Sequence, residues 1–164
     1  MKTTAALFLL FCLLGFRLES IAQGVDALEQ MQLQVKQYNQ KIDELIGKNE
    51  KNGFHILMEK KLPMKNQLET VLMAPLYEGN WYHFCFIGDP SSEKIRTTMF
   101  LEGFGDLIQD RIIVRREHEF WTEFSFMCPH SGQYEFTFFQ RSPMSHPLSY
   151  FVVFQKDTPT RGTE

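Results

Sequence analysis

Phe120-Trp121-Thr122-Glu123-Phe124-Ser125-Phe126-Met127-Cys128, then Pro129-His130-Ser131-Gly132, then Gln133-Tyr134-Glu135-Phe136-Thr137-Phe138-Phe139 is the stretch that decides the fold. In an extended strand, alternate side chains point to opposite faces. Phe120, Thr122, Phe124, Phe126 and Cys128 therefore share one face, and Trp121, Glu123 and Ser125 the other. In the second segment Tyr134, Phe136 and Phe138 oppose Glu135 and Thr137. The Pro-His-Ser-Gly tetrapeptide between them has turn chemistry, so the pair reads as a hairpin with one apolar side.

Working outward, the same period of two holds from Phe54 onward. It predicts strands over Phe54–Lys60, Gln67–Met73, Trp81–Ile87, Lys94–Glu102, Arg111–Arg115, Phe120–Cys128, Gln133–Phe139 and Ser149–Gln155. Pro63, Ala74-Pro75, Gly79-Asn80, Gly88-Asp89-Pro90, Gly103 and Gly105, and Ser142 through Pro147 separate them. In the fourth strand Ile95, Met99 and Leu101 oppose Arg96 and Glu102, which puts the first three inside. Short strands at this spacing, with no helical pattern between them, predict a mostly β chain: an antiparallel, jelly-roll-like β-sandwich. Thirteen of the 16 Phe lie after Gly53, enough large apolar payload to fill its core.

Before Gly53 the period changes. Leu28, Met31, Val35, Tyr38, Ile42 and Leu45 are spaced three and four apart, a heptad pattern over about three heptads. The stripe predicts an amphipathic helix within residues 23–52 that self-associates as a coiled coil; the alternative is a helix packed on the sandwich. Asp26 can cap or charge its first turn, and the polar run to Gly53 ends it.

Lys2 precedes an apolar run, Ala5 to Phe16, about half the length of a membrane-spanning helix. Ser20 and Ala22 then place small residues where a signal peptidase reads. Residues 1–22 are expected to be an export signal, making the rest secreted or periplasmic, with no transmembrane segment. Residues 53–157 would be the sandwich and 158–164 a polar, disordered tail.

The formal net charge is −3. Losing Lys2, Arg17 and Glu19 with the signal would leave −4. A mildly acidic chain without a long basic run argues against nucleic acid as a partner. Cys85 and Cys128 would remain in an oxidising compartment, where they form a candidate disulfide; each is also a good small core residue.

Three segments carry a resemblance: Leu76-Tyr77-Glu78-Gly79-Asn80-Trp81-Tyr82-His83-Phe84; Thr97-Thr98-Met99-Phe100-Leu101-Glu102; and Phe124 through Phe136 with its Pro-x-Ser-Gly-x-Tyr. Over roughly Gln67 to Gln155 the chain resembles the pre-peptidase C-terminal-type β-sandwich modules of bacterial secreted proteins. The resemblance implies a jelly-roll-like accessory domain without catalysis of its own. Some such modules bind calcium or polymeric substrates. Calcium is not carried over, because between Gly88 and Gly105 only Asp89, Glu93 and Glu102 could supply carboxylates.

His55, His83, His118, His130 and His146 show no close ligand pair of the zinc type, so no metal or cofactor is expected. His83 and Cys85, two apart on one strand, share a face. Ser131 beside His130 reads as a turn rather than a nucleophile with its base. Trp81 and Trp121 fall out of phase with the core aromatics; either both faces are covered, one by the N-terminal helix, and both are core, or they are the candidate partner surface, for a protein or a glycan. The expectation is a non-enzymatic module for binding or assembly at the cell envelope. The alternatives are a small glycan hydrolase with carboxylates spread over the sheet, and a carbohydrate-binding module.

Overall fold

The computed structural model describes residues 28–101 and 112–156. The predicted export signal, Asp26, the Gly103–Gly105 turn, Glu102 as a strand residue and the 158–164 tail lie outside them. The chain divides into two compact units, residues 1–36 and 37–164. In the first, residues 28–36 are helical. In the second, residues 37–51 are helical and eight strands follow; the helical stretch 28–51 is called α1.

The strands are β1 (His55–Lys61), β2 (Thr70–Leu76), β3 (Trp81–Ile87), β4 (Lys94–Leu101), β5 (Ile112–Glu117), β6 (Trp121–Met127), β7 (Gly132–Arg141) and β8 (Tyr150–Lys156). They form two four-stranded sheets, β1-β8-β3-β6 and β2-β7-β4-β5, with every pair antiparallel. Strand β4 pairs with β5, β3 with β6, β2 with β7 and β1 with β8. That nesting is a long hairpin rolled across two layers, the jelly roll.

The rolling corrects the sequence reading at two places. The turn Pro129–Ser131 does not close a hairpin: β6 and β7 belong to different sheets, and the turn carries the chain between them. Their aromatics still meet, because both apolar faces point inward; Phe126 and Tyr134 touch edge to face at 5.7 Å. Strand β2 starts three residues later than expected and runs through Pro75, which opposes Gln133. Proline is tolerated because β2 is an edge strand.

Between the sheets lies a core of Tyr82, Phe84, Phe86, Ile95, Met99, Tyr134, Phe136, Phe138, Phe151 and Val153, with Leu76 and Cys128 at its margin. Phe84 sits 5.0 Å from both Phe124 and Phe136, and Phe138 4.7 Å from Phe151. The polar pair inside is satisfied: Thr97 and Thr122 share a hydrogen bond of 2.7 Å. Phe120 is the exception to the predicted face. It precedes β6 and packs edge-on to Trp121 on the other side of the sheet.

The β3–β4 and β7–β8 connections are tied through buried Gln140. Its Oε1 accepts from Asp89 N–H and Ser92 Oγ, and its Nε2 donates to the Leu148 carbonyl. A Cβ at Gly88 would stand 2.7 Å from that Oε1, so glycine here leaves the Gln140 amide in place.

A second core lies on the outer face of the β1-β8-β3-β6 sheet. Tyr38 and Leu45 of α1 are buried there with Cys85, Ile87, Tyr150, Val152 and Phe154; Ile42, Ile46 and Trp121 pack at its edge. The heptad stripe is thus not one free seam. Tyr38, Ile42 and Leu45 are covered by the chain's own sheet, whereas Leu28, Met31 and Val35 are exposed. The helix ends through Gly53, whose positive φ of 81° suits the residue after a helix terminus.

Candidate functional site

Antiparallel register sets the side chains of β8, β3 and β6 in rows on this outer face. The rows are Tyr150–Ile87–Trp121, Val152–Cys85–Glu123, Phe154–His83–Ser125 and Lys156–Trp81–Met127. The first two lie under α1, and the last is the open end of the sheet. Trp81 is 42% exposed and its register partner Met127 55%. Tyr77 is exposed too, in a turn held by the hydrogen bond from Gly79 N–H to the Cys128 carbonyl.

The two tryptophans, read alike from the sequence, therefore part. Trp81 is accessible. Trp121 is half-buried in the second core, with the Lys41 ammonium 4.0 Å from its ring centroid. Lys41 also holds Glu44 at 2.6 Å.

Between the buried and open rows sits a polar cluster. His83 Nδ1 lies 2.8 Å from Ser125 Oγ, and Nε2 3.3 Å from Glu123 Oε2. Lys48 of α1 donates to both Glu123 oxygens at 2.9 Å. Asn49, buried in the next position of α1, donates to the Leu45 carbonyl at 2.8 Å and faces Cys85 Sγ at 3.9 Å. One ligand atom each from His83, Cys85 and Glu123 lie within 4.8 Å of one another.

Electrostatics follow from this placement. Burial pushes the Cys85 thiol up to about 12, with the Glu123 charge adding to the rise. Burial holds the His83 imidazole below its ordinary value, against the upward pull of Glu123. For Glu123 burial is the largest single influence and raises its pKa. Lys48 and then His83 together outweigh it, so the carboxyl stays below its usual range. At neutral pH the cluster holds a neutral imidazole, a thiol and a carboxylate.

Cys85 and Cys128 are both buried and free. The candidate bridge is absent because the two thiols serve different layers. Cys85 points outward under α1, while Cys128 joins the inner core and donates to the His130 carbonyl at 3.1 Å. Ser131 has a structural partner, accepting from Glu78 N–H at 2.9 Å.

Sequence reasoning placed His83 and Cys85 on one face but missed Glu123, Lys48 and Asn49. Glu123 joins through β3–β6 register, which no local pattern reveals. Lys48 and Asn49 stood in what read as a polar helix end. Met127 falls on the outer face by the alternation of β6, but that alternation does not show that it is left uncovered.

Fold and site together define a class: a jelly-roll β-sandwich whose one sheet is backed by a helix. No protein-family model matches the chain, and no curated protein matches it. Among solved structures, it is similar to the crystal structure of Aeromonas hydrophila PliG, a periplasmic lysozyme inhibitor of g-type lysozyme. That match has 13% identity and a TM-score of 0.43, over 63% of this chain and 87% of that one. A second similar structure, presented as CBM4 structure and function, has 12% identity and a TM-score of 0.34, over 63% of this chain and 79% of that one.

Proposed function

We propose that the chain is an exported, non-catalytic binding module that holds a protein partner through the open end of its helix-backed sheet. The observation that carries this reading is the Trp81–Met127 pair. Two large side chains lie opposite each other on neighbouring strands and are exposed, while Ile87 and Cys85 further along the same face of β3 are buried under the helix. Burying each against a partner contributes about 1.5–3 kcal/mol, and Trp is the residue type most often found as an interface anchor. Preorganisation on strands limits the entropy lost on binding. The accessory role implied by the pre-peptidase-type resemblance supports a non-catalytic reading. Export is supported by the apolar run Ala5–Phe16 and the Ser20-x-Ala22 site. Among the described residues no helix is long and apolar enough to cross a membrane.

Two assays test this reading on the chain beginning at Gln23. Envelope and culture proteins are crosslinked to wild type and to Trp81→Ala/Met127→Ala, and both are run by affinity electrophoresis through defined polysaccharides. A protein adduct formed by wild type and lost in the double variant supports the proposal. Equal adducts in both refute it. Retardation by a polysaccharide that depends on Trp81 alone would instead make the indole a sugar platform.

A second reading is self-assembly, favoured by the exposure of Leu28, Met31 and Val35. Sedimentation of wild type and Val35→Glu at tens of micromolar separates it. An oligomer dissolved by the substitution would establish assembly.

A further inference from the structure

The His83–Cys85–Glu123 cluster occupies the rows next to the Trp81–Met127 pair and is not needed by the binding reading. We propose that these three side chains form a site for a thiolate-preferring metal cation, zinc above others, beneath residues 48–49 of α1. The donor set is one imidazole nitrogen, one sulfur and one carboxylate oxygen. That combination suits zinc, whose shells are built from these ligands, and disfavours calcium and magnesium, which want oxygen alone.

Geometry supports it in three ways. First, all three ligand atoms fall within 4.8 Å of one another, and His83 Nε2 and Glu123 Oε2 are already 3.3 Å apart. Ligands at zinc bond lengths of about 2.0–2.3 Å in a tetrahedron stand roughly 3.3–3.7 Å apart. One contact is therefore at binding distance, and the others, all within 4.8 Å, need closure of at most roughly 1.5 Å. Second, the ligands sit on two strands in fixed register, Cys85 opposite Glu123. His83 Nδ1 is held by Ser125 Oγ, which presents Nε2 to the cluster, as the outer partner of a metal-bound histidine does. Third, the position already stabilises positive charge: the Lys48 ammonium bridges both Glu123 oxygens. Its side chain is half exposed and reaches in from solvent, so it can swing out as a dication enters.

The exchange balances simply. Cys85 loses its thiol proton to solvent, the His83 ring proton shifts from Nε2, where it faces Glu123, to Nδ1, where it is donated to Ser125 Oγ, the sulfur, the freed Nε2 lone pair and a Glu123 oxygen bond to the metal, and Lys48 leaves still protonated. Three protein ligands leave a fourth position for water.

The test uses the full chain, stripped with a chelator and titrated with cobalt(II) alone at pH 8, with zinc(II) as competitor. The expected result is one equivalent of tetrahedral cobalt carrying a thiolate charge-transfer band, displaced by zinc. His83→Gln and Cys85→Ser each abolish the band or weaken binding by about tenfold or more, and Cys128→Ala leaves it intact. Lys48→Met, which removes the competing ammonium without removing a ligand, tightens binding; a purely structural role for the cluster predicts no such gain. No band in wild type with cobalt in excess, a band surviving Cys85→Ser, or unchanged affinity in Lys48→Met would each overturn the proposal. Far-UV circular dichroism of each variant shows that the fold is kept, and Lys48→Met decides where Cys85→Ser does not fold.

Discussion

Leu45→Ala and Val35→Ala remove the same kind of apolar group from the same heptad stripe, yet the structure predicts opposite consequences. Leu45 is 2% exposed and packs with Cys85, Ile87, Val152 and Phe154 on the outer sheet face. Val35 is 42% exposed. Truncating a buried Leu loses its transfer free energy and leaves a cavity lined by strands that cannot collapse, about 3 kcal/mol within an observed range of about 2–5. Truncating an exposed Val changes stability by no more than about 0.5 kcal/mol, and Ala is the better helix former. The assay is urea unfolding followed by tryptophan fluorescence, which reports on Trp121 beside Lys41 at this interface. With a slope of about 1.5–2 kcal/mol per molar urea for a chain of this size, Leu45→Ala lowers the midpoint by about 1.5–2 M. Val35→Ala shifts it by less than about 0.3 M. Running each protein at two concentrations tenfold apart adds a second readout, because a stripe buried in a dimer makes the midpoint concentration-dependent. Equal losses at the two positions, together with a concentration-dependent midpoint, would refute docking of residues 37–51 on the sheet and restore the single intermolecular seam.

Further expectations follow from the same geometry. Phe84→Ala, at the centre of contacts with Phe124, Phe136 and Phe151, destabilises by about 3–5 kcal/mol; a loss below about 1 kcal/mol in denaturant unfolding contradicts its central place. Both thiols resist alkylation in the folded protein and react after unfolding without reductant, as mass spectrometry should show; a mass two hydrogens short would reveal a bridge. Stability is acid-sensitive. The buried imidazole of His83 refuses the proton that the unfolded chain takes up near pH 6.5, so its contribution is present above that pH and lost as pH falls through the lower native value. Glu123, also held low, adds a second loss as pH falls below about 4.5. His83→Gln should flatten the first part of the unfolding midpoint against pH; an unchanged profile counts against the cluster as its source.

The strands were legible because sheet physics is local in its first approximation. Trp81–Ile87 is bounded by turn chemistry at Gly79-Asn80 and Gly88-Asp89, and the observed β3 has those limits. What was not legible was pairing. The contacts of Glu123 with His83 and Cys85 depend on β3 lying beside β6, and the separation of Cys85 from Cys128 depends on which face each strand turns to α1. Period-two alternation says that two faces exist, not what covers them. Trp81 and Trp121 show the cost of that ignorance: both lie on the outer face, and only the reach of the helix distinguishes them.

One signal in the chain does bear on that question. A strand with one face in water alternates apolar and polar residues; a strand buried on both faces reads as an unbroken apolar run. Strand β6 alternates, as Trp121-Thr122-Glu123-Phe124-Ser125-Phe126 shows, and it is an edge strand of its sheet. Strands β3 and β8 do not: Phe84-Cys85-Phe86-Ile87 and Tyr150-Phe151-Val152-Val153-Phe154 are apolar throughout, and they are the two central strands. An inner core accounts for Phe84, Phe86, Phe151 and Val153 only. Cys85, Ile87, Val152 and Phe154 need a second apolar surface, and the chain holds one candidate of matching length, the stripe ending at Leu45. The stripe's demand for a partner and the sheet's demand for a cover are one demand seen from two sides. Three heptads of spacing alone could be answered by another copy of the chain; three heptads beside two doubly apolar strands are answered first within it. Leu28, Met31 and Val35 on the helix and Trp81 with Met127 on the strands are among the large apolar side chains left exposed, and such surface is where a binding partner has something to gain.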